Sequence, residues 1–260
     1  MTAEVSFLEL PWRGRRLHIE HAFVGDPASR LPTVVFLHEG LGSLAMWKDF
    51  PARLCEAHGL RGLVFSRYGY GRSTPKSPDE RWPVRFMHEQ ALEVLPPLFD
   101  ALQIERPWLF GHSDGGSIAL LHAAHRPVSG LVVVAPHLFT EDMGIASIAR
   151  ARVAYETTNF RAKLARYHAD VDSAFRGWND IWLDPAFRAW NIEAELDALR
   201  CPVLAVQGED DEYGTLEQIR AVARRVPGTQ LLVLPDCGHS PHRDQPDRLI
   251  AAAGAFIRRA

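Results

Sequence analysis

The chain has 260 residues, a formal charge of −3, 47% hydrophobic and 23% charged residues, the profile of an ordinary globular protein of one large or two small domains. So balanced a charge excludes a global field that recruits nucleic acid or anionic lipid. No apolar run approaches the roughly eighteen residues of a membrane span.

Cys55, Cys201 and Cys237 are odd in number and show no C-x-x-C spacing, so free thiols in a reducing compartment are expected. The start, Met1-Thr2-Ala3-Glu4-Val5, has no basic region followed by an apolar core. A cytoplasmic protein, monomer or homodimer, with neither nucleic-acid nor membrane partners, is the expectation.

In chain order, apolar segments 5–10 and 17–23 flank Pro11-Trp12-Arg13-Gly14-Arg15-Arg16 and predict a hairpin. Short, nearly continuous apolar runs follow at 33–37, 62–66, 107–110, 131–135, 203–206 and 230–234. Uninterrupted runs of this kind imply strands buried on both faces, hence a mainly parallel sheet. Helical patterns lie between them at 45–58, 86–102, 113–125, 215–225 and 245–259. Pro96-Pro97 should kink the second of these or end its first part. The alternation predicts an α/β doubly wound fold.

One segment breaks the rhythm. Residues 138–199 contain no convincing strand, only helical material rich in aromatics, among them Trp178, Trp182 and Trp190. About sixty residues are too many for an ordinary connection. They predict a helical cap over the edge of the sheet where α/β ligand sites form, leaving 1–137 and 200–260 as the core. The three tryptophans are candidates for an aromatic wall around an apolar substrate.

Gly111-His112-Ser113-Asp114-Gly115 stands between an apolar strand and a helical run. Small residues around a serine at a sharp strand-to-helix turn are what a nucleophile elbow needs. The Asp114 N–H then opens a helix whose positive end favours a developing anion. A serine hydroxyl is a weak nucleophile until a base takes its proton. Of the twelve histidines, His239 follows the run 231–234 and can hang over the edge that carries Ser113. The acid that orients it is sought in Glu209-Asp210-Asp211-Glu212, after the run 203–206; spacing alone does not separate Asp210 from Asp211. His38-Glu39-Gly40-Leu41-Gly42-Ser43 follows the run 33–37, and its glycines let backbone approach a substrate, with Leu41 as the second oxyanion donor. His122 with His125, and His239 with His242, lack a convincing third ligand, so no metal is expected. Phosphate-binding glycine motifs are missing, and no cofactor is expected.

These motifs, in this order, resemble the α/β-hydrolase superfamily over almost the whole chain. The resemblance implies a mainly parallel sheet flanked by helices, with an inserted helical cap, and a Ser-His-Asp site. Its G-x-x-D acid loop maps onto Gly208 and Asp211, which favours Asp211; the alternative is that Glu141 or Asp142, after the run 131–135, supplies the acid, as the corresponding loop does in some relatives. The chain departs from the family pattern twice. Glu39 intervenes where the oxyanion loop usually reads His-Gly, adding a carboxylate near the site. Ser66-Arg67-Tyr68-Gly69-Tyr70-Gly71-Arg72-Ser73 replaces D-x-R-G-x-G-x-S, so the usual salt bridge cannot form in its usual register.

The expected function is a serine hydrolase cleaving carboxylic esters of small to medium apolar or aryl substrates. Ser113, Asp211 and His239 would be catalytic, Leu41 and Asp114 the oxyanion donors, and Trp178, Trp182, Trp190, His112 and Glu39 would contact substrate. Two rivals keep the same fold. One cleaves carbon–carbon bonds of ring-cleavage products, with Arg150, Arg152, Arg161 or Arg188 holding carboxylates. The other is a ligand receptor with little turnover.

Overall fold

The computed structural model describes residues 4–259. The strands are β1 (Ser6–Trp12), β2 (Arg15–Gly25), β3 (Val34–Leu37), β4 (Arg61–Phe65), β5 (Trp108–His112), β6 (Gly130–Val134), β7 (Val203–Gly208) and β8 (Gln230–Leu234). They form one sheet in the order β1-β2-β4-β3-β5-β6-β7-β8. The hairpin β1–β2 is antiparallel, as is β2 with β4; every pair from β4 through β8 is parallel. The chain therefore has the α/β-hydrolase fold expected from its sequence.

The helices are α1 (Phe50–His58), α2 (Phe86–Glu89), α3 (Leu95–Ala101), α4 (Asp114–His125), α5 (Asp142–Thr157), α6 (Phe160–Leu164), α7 (Val171–Trp182), α8 (Glu217–Arg225), α9 (Pro241–Asp244) and α10 (Pro246–Arg259). Successive strand side chains point to opposite faces, and the two cores follow that alternation. Val34, Phe36, Phe110, Val132 and Val206 pack with Leu54, Leu249 and Phe256 of α1 and α10. Val35, Leu37, Leu109 and Val133 pack on the other face with Leu98, Ile118 and Ile219 of α3, α4 and α8. The strand β8, expected to be buried on both faces, lies at the sheet edge with one neighbour and is largely half-exposed.

Pro96 and Pro97 neither end nor simply kink their helix. Residues Gln90–Val94 form a π-helical turn between α2 and α3, in which the Leu95 N–H reaches the Gln90 carbonyl. In that register the Ala91 carbonyl would meet Pro96, which has no N–H. His122 Nδ1 supplies the missing donor at 2.7 Å.

Between β6 and β7 run α5, α6, α7 and the 3₁₀ turns Pro185–Ala189 and Glu193–Ala198. The pairing there is a single bridge, Phe139 with Asn191. Arg152 of α5 reaches Asn179 and Asp180 of α7 at 2.6 and 2.7 Å, and Tyr155 stacks on Phe175. Among the described residues no helix is long and apolar enough to cross a membrane.

Candidate active site

Ser113 sits between β5 and α4 with φ 54° and ψ −122°, a conformation that costs a non-glycine residue of order 1–3 kcal/mol. The flanking glycines explain why the turn can be so tight. A Cβ at Gly111 would meet the Gly115 carbonyl, and one at Gly115 would meet the Leu37 carbonyl. The Ser113 N–H is bonded to Val134 O at 2.9 Å, which ties the turn to β6. As the first residue of α4, Asp114 has an N–H without an acceptor inside the helix.

His239 lies in the loop between β8 and α9. Its Nε2 is 2.9 Å from Ser113 Oγ, and its Nδ1 is 2.8 and 3.0 Å from the two Asp211 oxygens. Asp211 is buried, with Oδ1 accepting from the Tyr213 N–H at 2.8 Å and Oδ2 from Gln207 Nε2 at 3.2 Å. Burial pushes the Asp211 carboxyl up, but the facing His239 and these hydrogen bonds outweigh it and leave the pKa lowered. Burial pushes His239 down, and the Asp211 charge and hydrogen bond outweigh that, so its pKa is raised. A carboxylate only accepts, so Nδ1 carries the proton and the neutral ring offers a bare Nε2 to the serine hydroxyl.

The other candidate acids lie elsewhere. Asp210 is exposed. Glu141 binds the Thr215 N–H and hydroxyl and Gln218, and Asp142 pairs with Arg188 on the surface.

A cavity of about 230 Å³ opens in front of Ser113. Leu41, Met46, Ile148, Trp178 and Trp182 form its apolar wall, and Glu39, His112, Asp114 and Arg243 also reach it. Trp190 does not line this cavity. It stacks on Phe187 at 5.1 Å and meets Trp182 at 6.2 Å, packed within the 138–199 segment itself.

Glu39 faces His112 Nδ1 at 3.5 Å and Arg243 at 3.2 Å. Burial would raise its carboxyl, but His112 and Arg243 outweigh that and hold it well below the usual range. His112 bonds the His239 carbonyl through Nε2 at 2.7 Å, so it steadies the loop that carries His239. In the oxyanion-loop candidate, the Gly42 N–H closes a turn on the Glu39 carbonyl at 3.0 Å. The Gly40–Leu41 peptide lies at the tip of that turn.

The departure at residues 66–73 has a local explanation. Glu20 on β2 supplies the carboxylate that Ser66 does not: it accepts from Ser66 Oγ at 2.7 Å and from the Arg72 N–H at 2.9 Å. Arg67 turns inward instead. It donates to the Glu39 carbonyl at 3.0 Å and lies 4.0 Å from Asp114. Burial lifts the Asp114 carboxyl to about 6 despite Arg67 and the Trp182 indole Nε1–H, which donates to it at 3.2 Å.

Two histidines that the sequence reading did not single out reach the site. His137, just after β6, has Nε2 3.3 Å from Ser113 Oγ. His168, between α6 and α7, has Nε2 3.0 Å from the Leu41 carbonyl, and its Nδ1 accepts the Gly71 N–H at 2.9 Å. Position relative to the strand ends was the available signal for His137; nothing local marks His168.

Residues 34–253 match the model of the alpha/beta hydrolase family, and the chain belongs to that family. It is 29% identical over 261 residues to the Caulobacter sp. (strain K31) protein named "Putative carbamate hydrolase RutD", covering 91% of this chain and 94% of that one. To the human serine hydrolase BPHL it is 26% identical over 261 residues, covering 94% and 84%. A thermophilic esterase from Thermogutta terrifontis shares the fold, with a TM-score of 0.72, 21% identity and coverage of 97% and 98%.

Proposed function

We propose that the protein is a serine hydrolase that cleaves carboxylic esters of small to medium, apolar or aryl substrates. The observation that carries this reading is the hydrogen-bonded line from Asp211 through His239 to Ser113 Oγ. His239 Nε2 takes the Ser113 proton as Oγ attacks the ester carbonyl. The N–H groups of Leu41 and Asp114 hold the oxyanion. Protonated His239, steadied by Asp211, passes its proton to the leaving alcohol, and water then releases the acyl group. The residues present suffice for these steps without a cofactor.

Residues 138–199 act in this reading as a cap on a core of 1–137 and 200–260. Trp178 and Trp182 of α7 are their contribution to the wall. A cavity of about 230 Å³ is smaller than the roughly 300–1,000 Å³ of drug-sized sites, which favours short acyl groups. The names of the relatives, a carbamate hydrolase and a serine hydrolase, are compatible with attack on an acyl carbon.

Carbon–carbon cleavage of anionic ring products is less well supported. Arg152, Arg161 and Arg188 are engaged with Asp180, Asp172 and Asp142, Arg150 donates to Ser147, and none of the four lines the cavity.

The test is hydrolysis of p-nitrophenyl esters from acetate to decanoate by the wild type and Ser113→Ala. Release by the wild type alone, best with short acyl chains, is expected. Silence from both would overturn the reading in favour of carbon–carbon cleavage or ligand binding.

A further inference from the structure

The Ser113 hydroxyl lies between two imidazoles. His239 Nε2 stands 2.9 Å away and His137 Nε2 3.3 Å away. A hydroxyl has one proton to give. It goes to His239, whose Nε2 is bare because Nδ1–H faces Asp211. Toward His137 the serine therefore presents a lone pair, and only a protonated Nε2 makes a bond there.

The position of His137 is tightly held. Its N–H donates to Ser117 Oγ at 3.0 Å, and the Ser117 hydroxyl donates back to the His137 carbonyl at 2.6 Å. The ring lies against Trp182 at 4.9 Å and His239 at 5.7 Å, and the residue is buried. Burial, with His239 nearby, pushes the ring down to about 3, so it is neutral at working pH and acts as a hydrogen-bond donor.

We propose that His137 is a further catalytic residue, whose Nε2–H donates to Ser113 Oγ and stabilises that oxygen as the leaving group when the acyl-enzyme is hydrolysed. This rests on the acyl-enzyme reading above. In deacylation, water adds to the acyl carbon and gives a proton to His239. The carbon–Oγ bond then breaks, its electron pair stays on Oγ, and His239 returns the proton there. A donor at Oγ is worth little to the neutral hydroxyl at 3.3 Å. It is worth more as negative charge builds, because charge-assisted hydrogen bonds are shorter and stronger. The ester Oγ of the acyl-enzyme is a poorer acceptor than the serine hydroxyl, so the gain from ground state to transition state is larger for expelling Oγ than for its attack.

The experiment compares wild type, His137→Phe and His137→Gln on p-nitrophenyl acetate, with phosphonate labelling of Ser113 to count assembled sites. Loss of the donor in His137→Phe should lower kcat about 10- to 100-fold. KM should fall with it, so that kcat/KM changes by less than about threefold, and a burst of p-nitrophenol should appear as acyl-enzyme accumulates. His137→Gln, which can place an N–H near the same point, should recover part of kcat. Equal loss of kcat and kcat/KM without a burst would overturn the proposal, as would unchanged kinetics.

Nitrogen-15 NMR of the unaltered protein decides the hydrogen bond even if Phe at 137 prevents folding. A protonated Nε2 and bare Nδ1 at His137 are expected, and the opposite tautomer would overturn the proposal. If the wild type cleaves no ester and Ser113 takes no phosphonate, it is the functional reading that fails, and the tautomer still reports on His137.

Discussion

His168 Nε2 donates to the carbonyl of Leu41 at 3.0 Å, tying the segment between α6 and α7 to the loop after β3. The tautomer is set by the Gly71 N–H, which occupies His168 Nδ1. Together with the Glu39–Gly42 turn, this bond holds Leu41 from both sides. His168→Ala should lower kcat/KM for p-nitrophenyl acetate about tenfold, the scale of one hydrogen bond. His168→Gln should lose less. Equal, full activity in both would show that Leu41 is held without it.

Ser113→Ala and His239→Ala should each reduce turnover on the order of a millionfold, and the double variant little further, because the groups act as a unit. Steady-state rates on one short ester, with circular dichroism to verify folding, check this. Additive losses would argue against a shared step.

Asp211→Asn should cost about ten-thousandfold, since an amide at that place favours the wrong tautomer of His239. Asp210→Asn should be nearly silent, as Asp210 is exposed while the Asp211 oxygens stand 2.8 and 3.0 Å from His239 Nδ1. A severe Asp210→Asn with a mild Asp211→Asn would reverse the assignment.

The pH dependence follows from the same pair. The base must be neutral, and although burial lowers the His239 pKa, Asp211 outweighs it and raises it above 6.5. Activity should therefore fall with decreasing pH through a midpoint above 6.5, and the residual activity of Asp211→Asn should show a lower midpoint, because burial is then unopposed. In stability terms, the raised His239 contributes fully below the unfolded imidazole pKa and loses that contribution as pH rises through its folded value. The lowered Asp211 contributes above its ordinary 3.8 and loses that as pH falls through its folded value. Thermal unfolding across pH, wild type against Asp211→Asn, separates the two limbs.

Gly40→Ala should damage the site through packing. A Cβ at Gly40 would run into the Trp178 indole, and overpacking of this kind typically costs about 1–3 kcal/mol. Both melting temperature and kcat/KM should fall. Adding Trp178→Leu should restore part of each, whereas independent effects of the two changes would show that the contact does not matter.

The sequence by itself determined the sheet and the places where chemistry could occur. Buried parallel strands need near-continuous apolar runs, and the sharp turn at Ser113 needs glycines where any Cβ would strike backbone; both leave local marks. The segments that carry Asp211 and His239 were readable as the loops after β7 and β8, because neighbouring parallel strands deliver their following loops to one edge, and the family resemblance was needed to favour Asp211 over Asp210. Contacts between segments far apart in the chain leave no such mark. Only the tertiary structure decided that His137 meets Ser113, that His168 crosses 127 residues to Leu41, and that Glu20 on β2 takes over the carboxylate role absent at Ser66. It also placed Trp190 inside the packing of its own segment while Trp178 and Trp182 face the cavity. An aromatic-rich helical stretch fits a wall or a core equally well, and which face turns to the site is decided by what it packs against.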